Sequence, residues 1–152
     1  MMNNIIPPDT YELIKKNVPI ACVELLIIHE GAVLLLKRKN PPARGQWWYP
    51  GGRIFKDETI FEAAERKGKK ELDVILEPQR IMSVEESIFN LQNDVVEVHT
   101  INIVVEMKII DLNYTLHLDN DHMEYKWFRT LPSPLHTAVK NPLLAMNFRS
   151  DE

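Results

Sequence analysis

Residues 51–73 read GGRIFKDETIFEAAERKGKKELD, a glycine pair followed by a helix start, and this stretch decides how the chain is organised. Thr59 and Glu62 form a pattern in which a hydroxyl and a carboxylate each satisfy a backbone N–H group that a helix leaves orphaned at its start. The helix so opened is expected to run to about Asp73. At about 100° per residue, Phe61, Ala64, Gly68 and Leu72 fall in one stripe, the natural core face, while Ala63, Arg66, Lys67, Lys70 and Glu71 fall on another. That second face begins just after Gly51 and Gly52, so backbone carbonyls, a guanidinium and a carboxylate converge there. Such convergence suits a metal-bound pyrophosphate. Gly68 in mid-helix costs about 1 kcal/mol relative to alanine, which points to close packing of the helix on a sheet.

Upstream, residues 39–52 (KNPPARGQWWYPGG) hold three prolines, three glycines and three aromatics, and read as an irregular segment with its own packing. Loops of this kind commonly carry function. Before it, residues 20–38 are rich in Val, Ile and Leu and are interrupted at Glu30-Gly31, the pattern of two strands joined by a tight turn, with Arg38 at the strand's end. Pro8, Asp9 and Thr10 open a short helix that ends before Pro19. Downstream, residues 80–89, 96–110 and 124–128 read as strands, with a turn at 90–94. Pro132 and Pro134 mark a loop before a short final helix. The mixture is α+β, a mixed β-sheet packed between helices as an α/β/α sandwich, in a single domain spanning residues 1–152. Fraying is expected over residues 1–7 and 149–152.

Of the 152 residues 45% are hydrophobic and 26% charged, ordinary values for a folded globular chain. A net charge of -4 argues against a protein that holds nucleic acid or a membrane through bulk positive charge. Any phosphate must then be gripped locally, by a few placed cations or a metal. Cys22 is the one cysteine, which excludes an internal disulfide and a thiolate zinc cluster and fits a reducing compartment. With no apolar run of roughly 18 residues and no signal-peptide pattern, a cytoplasmic location is expected.

Gly52, Glu58, Arg66 and Glu71, preceded by GQWWYPGG, resemble the Nudix box: Gly, five residues, Glu, seven residues, then Arg-Glu-apolar-any-Glu-Glu-any-Gly. Lys67 and Lys70 stand where the box has glutamates, Gly68 at an apolar position and Asp73 at the final glycine. The GDP-mannose hydrolase branch is more similar, because it also lacks those two glutamates. The similarity runs from about Pro19 to Phe128 and is strongest over KRKNPPARGQWWYPGGRIFKDETIFEAAER. The resemblance implies the Nudix fold and one Mg2+, or Mn2+, held by the Gly51 carbonyl, Glu71 and Asp121, the last standing where the branch has a glutamine. It implies that His122 is the base that activates water for attack on the anomeric carbon of a nucleotide sugar, releasing the nucleoside diphosphate with inversion. Arg38, Arg53 and Arg66 would neutralise the departing diphosphate, and Glu24 would contact the sugar. A homodimer is also implied. The branch has a histidine at Ser87 and a tyrosine near Ile101 or Asn102, so either the diphosphate is gripped differently, through Lys67 or Lys70, or the substrate differs.

Several of these residues have plainer readings. Lys67 and Lys70 read as solvated surface residues, Lys67 forming an i,i+4 pair with Glu71. His122 lies among Asp119, Asp121 and Glu124, a composition that also suits an exposed acidic turn. Glu58 reads as orienting the loop through a salt bridge to Arg66. His99 and His117 read as partly buried or surface residues and Trp47 as packing, while Trp48 and Tyr49 are open to base stacking. Three functions remain: a nucleotide-sugar hydrolase, a pyrophosphohydrolase cutting between phosphorus atoms, and a nucleotide-binding or regulatory module without turnover. The third arises because two ammonium groups near the cleft repel a divalent ion while attracting a diphosphate.

Overall fold

Strand β1 (Ile20–His29) is apolar on both faces because both are covered: Val23, Leu25 and Ile27 pack to one side and Leu26 to the other. The computed structural model describes residues 5–89, 98–111 and 113–151, so the turn read at 90–94 lies outside the described residues. One edge of β1 runs parallel to β6 (Val98–Ile109), with Ile20 opposite Thr100 and Ile27 opposite Met107. The other edge is shared. Its first half pairs antiparallel with β4 (Gly51–Arg53), placing Glu24 opposite Gly51, and its end pairs with β2 (Ala32–Arg38) across the turn at Glu30-Gly31. Beyond β6 lies β5 (Leu76–Phe89), and β2 is flanked by β3 (Trp47–Trp48) and β7 (His122–Phe128).

Helix α2 (Ile60–Leu72) covers the face that holds Val23, Leu25, Leu34, Leu36 and Val105, contributing Ala63, Ala64 and Leu72. Helix α3 (Thr137–Ala145) covers the opposite face, where Ala138, Val139 and Leu143 meet Leu26, Val33, Leu35 and Val104. A mixed sheet between helices is thus the architecture, as the sequence pattern indicates. The first helix, α1 (Pro8–Asn17), carries proline in its first turn, where a missing N–H is harmless.

The capping box is formed as expected: the Glu62 N–H donates to Thr59 Oγ1 at 3.1 Å and the Thr59 N–H to Glu62 Oε2 at 2.8 Å. Gly68 also serves the close packing expected of it, since a Cβ there would lie 2.7 Å from Leu76 Cδ1 on β5. The buried face of α2 differs from the expected stripe. Phe61 is 40% exposed, whereas Lys67 and Glu71 are buried beside Ala63, Ala64, Gly68 and Leu72. The face is rotated because α2 packs on β4 as well as on β1 and β5.

The stretch read as irregular contains two short strands, β3 and β4. Strand β5 starts earlier than expected and takes in Pro78, whose missing N–H falls beside a register shift between Pro78 and Arg80. Residues 149–151 are ordered where fraying was expected, residue 152 lying outside the described residues: β9 (Arg149–Ser150) runs parallel to β8 (Thr130–Leu131), and the Asp151 N–H donates to Leu131 O at 3.1 Å. Among the described residues no helix is long and apolar enough to cross a membrane.

Candidate active site

Glu71, in the last turn of α2, reaches the glycine pair. Its Oε2 accepts the Gly51 N–H at 2.8 Å and its Oε1 is ion-paired with Lys67 Nζ at 3.0 Å. Neither glycine tolerates a side chain. A Cβ on Gly51 would run into the Val23 carbonyl and come within 2.8 Å of Glu24 Oε2, and one on Gly52, at φ +157°, would come within 2.9 Å of Lys67 Cε.

The residues ahead of β7 fold back onto the end of α2. The His117 N–H donates to Leu72 O at 2.9 Å and the Asp119 N–H to Glu71 O at 3.1 Å, satisfying carbonyls that the helix end leaves open. Asp119 and His122 are thereby brought to Glu71, one ligand-capable atom of each lying within 4.8 Å of the others. His122 Nδ1 and Asp119 Oδ1 are 2.7 Å apart. An ionised carboxylate only accepts, so Nδ1 carries a proton, and in the neutral imidazole the lone pair is then on Nε2. Asp121 does not join this group. Neighbouring residues entering a strand point to opposite sides, and the exposed Asp121 carboxylate accepts Asn40 Nδ2 at 3.2 Å instead. Asp119 stands where Asp121 was expected.

On the other side of Gly51 and Gly52 lies a cleft of about 160 Å³, lined by Glu24, Arg38, Trp48, Tyr49, Ser87 and Asn102 among others. Trp48 Nε1 donates to Glu24 Oε1 at 3.2 Å, and Glu24 Oε2 is buried without a partner. Burial pushes the Glu24 carboxyl up to about 8 despite the Trp48 hydrogen bond, and the charge of Glu71 adds to the rise. It is therefore a neutral acid at pH 7, able to donate as well as accept. Ser87 Oγ pairs with Thr100 Oγ1 at 2.7 Å and accepts Asn102 Nδ2 at 2.8 Å, so the two departures from the branch form one hydrogen-bonded set. Burial, with the Glu24 carboxyl close by, drives the Cys22 thiol to about 12, which removes it as a nucleophile.

The NUDIX domain profile matches residues 18–138. The chain belongs to the NUDIX domain family. It is 35% identical to the low-salt glycan biosynthesis protein Agl8 of Haloferax volcanii over 93% of this chain and 91% of that one. It is also 36% identical to the human 8-oxo-dGDP phosphatase NUDT18 over 53% of this chain, spanning only 24% of that protein. The crystal structure of a MutT NUDIX hydrolase from Burkholderia pseudomallei superposes with a TM-score of 0.68 at 25% identity, covering 84% of this chain and 98% of the other. The protein is a Nudix hydrolase, of a family that acts on nucleoside diphosphate substrates and generally uses a divalent metal.

A divalent cation fits the residues present in this Nudix chain. Two carboxylates and an imidazole cluster around one point; each Glu71 oxygen makes one contact, and Asp119 directs its bonds from His122 Nδ1 and the Asp121 N–H to Oδ1, leaving Oδ2 available. The three arginines are placed differently from one another. Arg38 lines the cleft, its Nε donating to Pro42 O at 2.7 Å. Arg66 is committed to the Nudix loop: Nε and Nη2 donate to Glu58 at 2.6 and 3.0 Å, Nη2 also to Arg53 O at 3.0 Å, and the guanidinium lies 3.7 Å from the Phe55 ring centroid. This is the loop-orienting salt bridge read from the sequence. Burial alone would raise the Glu58 carboxyl, but hydrogen bonds from Arg66 and the Phe55 N–H outweigh it and hold the carboxyl below its usual range. The Arg53 guanidinium lies 4.6 Å from the Phe55 ring centroid and 5.9 Å from that of Tyr11. Trp47 packs edge-on against Phe128, and Tyr49 is buried with its hydroxyl donating to Val139 O at 2.8 Å. Sequence reading passed over Asp119; the signal available was its spacing of three from His122.

Proposed function

We propose that this Nudix hydrolase cleaves a nucleotide sugar of the GDP-mannose type at the anomeric carbon, releasing nucleoside diphosphate and free sugar with inversion. The observation that carries this reading is the 2.7 Å Asp119–His122 pair beside Glu71, next to a cleft whose Glu24 oxygen is buried without a partner. His122 Nε2 takes a proton from water as the water oxygen bonds to the anomeric carbon. The carbon–oxygen bond to the diphosphate breaks, and its electron pair leaves with the nucleotide. Asp119 fixes the imidazole tautomer and balances the positive charge it acquires, and base catalysis of this kind contributes about 10²- to 10⁴-fold. Glu71, Asp119 and the Gly51 carbonyl would hold magnesium or manganese, which supplies positive charge opposite the leaving diphosphate. Arg38 adds a fixed cation in the cleft. Neutral Glu24, with Ser87 and Asn102, offers uncharged hydrogen-bonding groups suited to sugar hydroxyls.

The similarity to a haloarchaeal protein named for glycan biosynthesis supports a sugar-bearing substrate. The partial similarity to a protein named as an 8-oxo-dGDP phosphatase supports the alternative, cleavage of a phosphorus–oxygen–phosphorus link. The chain is further proposed to act as one domain over residues 1–152, as a homodimer, in the cytoplasm, where a lone buried thiol is at home. Incubation with GDP-mannose and magnesium in water enriched in heavy oxygen tests the reading. Label on the sugar is expected. Label on phosphate establishes the alternative, and label on neither indicates a binding module.

A further inference from the structure

Lys67 was read from the sequence as a solvated surface lysine, yet it is 8% exposed, and its partner Glu71 is 4% exposed. Its ammonium occupies the space left by the missing side chain of Gly52: a Cβ there would lie 3.0 Å from Nζ. Gly51 and Gly52 both line the cleft, so this cation lies directly behind the glycine wall of the cleft. An ammonium carries three N–H donors. Among the described residues, Glu71 Oε1, at 3.0 Å, is the one ion-pair partner of Lys67. With the Lys67 side chain 11% exposed, the ammonium donors that this carboxylate does not engage are open to an anionic ligand. The charge also reaches the cleft, since it opposes the rise in the pKa of both Glu24 and Cys22. Lys70, the other lysine at a box glutamate position, is exposed.

The geometry points to Lys67 as a resident cation with two effects: it lets a diphosphate bind when no divalent ion is present, and it competes with that ion for Glu71. A site with two carboxylates loses one unit of its negative charge to the tethered ammonium, so the divalent ion is held less tightly than Glu71 and Asp119 alone would hold it. The diphosphate gains a hydrogen-bonded positive partner that is always in place. This inference rests on reading the cleft and glycine pair as a diphosphate site, and does not depend on which bond is cleaved.

Inorganic pyrophosphate, which carries no base or sugar, is the probe. Titrated calorimetrically into the full chain in EDTA, it is expected to bind wild type, with affinity falling as salt is added. Lys67→Met is expected to weaken this binding about tenfold or more while tightening Mn2+ about tenfold, the latter read by electron paramagnetic resonance. Lys70→Met should alter neither. Should Lys67→Met fail to fold, Glu71→Gln provides the second reading, because freeing the ammonium from its counter-charge should tighten metal-free pyrophosphate binding several-fold. Absence of pyrophosphate binding to wild type in EDTA, or indifference of it to Lys67→Met or Glu71→Gln, overturns the inference. That result leaves the isotope-labelling outcome untouched, and a label on phosphate rather than sugar leaves the role of Lys67 untouched.

Discussion

Replacing Arg66 with methionine should lower the stability of the fold by about 3 kcal/mol, which tests whether this arginine supports the Nudix loop or acts on substrate. The Arg66–Glu58 pair makes two charge-assisted hydrogen bonds at 2.6 and 3.0 Å, with side chains 27% and 13% exposed. Fully buried bonds of this type contribute about 1.5–3 kcal/mol each and exposed pairs about 0–1, so an intermediate value near 1 kcal/mol apiece is appropriate. The contact with the Phe55 ring adds about 0.5 kcal/mol, and leaving Glu58 partly buried without its partner costs about another 0.5–1 kcal/mol. Urea unfolding at pH 7 of wild type, Arg66→Met, Glu58→Gln and the double variant gives the total and a coupling energy, expected at about 1–2 kcal/mol. The pH dependence has a definite sign. The folded Glu58 carboxyl titrates below its unfolded value, so its contribution is fully present above the unfolded pKa of about 4.3 and is lost as pH falls through the folded one. The gap between wild type and Glu58→Gln should therefore close in acid. An Arg66→Met protein within about 0.5 kcal/mol of wild type, with turnover abolished, would refute this account and move Arg66 to the diphosphate.

Three further outcomes are expected. His122→Ala should lower kcat about 10²- to 10⁴-fold with metal-free pyrophosphate affinity unchanged, and Asp119→Asn should follow it, whereas Asp121→Asn should leave kcat within about twofold; product release assays decide. Glu24→Gln should raise stability at alkaline pH by up to several kcal/mol. The folded carboxyl, at about 8, lies above its unfolded value, so the stability of wild type relative to the amide is full below about 4.3 and declines as pH rises through 8; chemical denaturation across that range in EDTA measures it. Chelation should stop turnover, and magnesium or manganese should restore it without altering the circular dichroism of the fold, because protein contacts alone already assemble the site.

Where a local rule acts within a short span, the residues declared the structure. Thr59 and Glu62 announced the helix start, Gly68 its close approach to the sheet, and Glu58 with Arg66 the brace across the loop. Phe61 and Lys67 were misjudged because helical periodicity orders residues around an axis but does not fix which neighbour the axis faces, and β4 lay in a segment read as irregular. Asp119 was passed over in favour of Asp121 because the choice depends on where β7 begins and on two backbone bonds to the end of α2, which leave no trace in composition. The partnerless oxygen of Glu24 likewise depends on pairing opposite Gly51, a register set by the whole sheet.

The two backbone bonds from His117 and Asp119 to the last carbonyls of α2 make the helix terminus and the segment bearing His122, the proposed base, one cooperative unit. Fraying of that terminus would release Asp119 and Glu71 together, so partial opening would disassemble the proposed metal ligands and base in a single event rather than piecemeal. The amide protons of His117 and Asp119 should then exchange with solvent deuterium at a common rate, a clock for how often this arrangement comes apart.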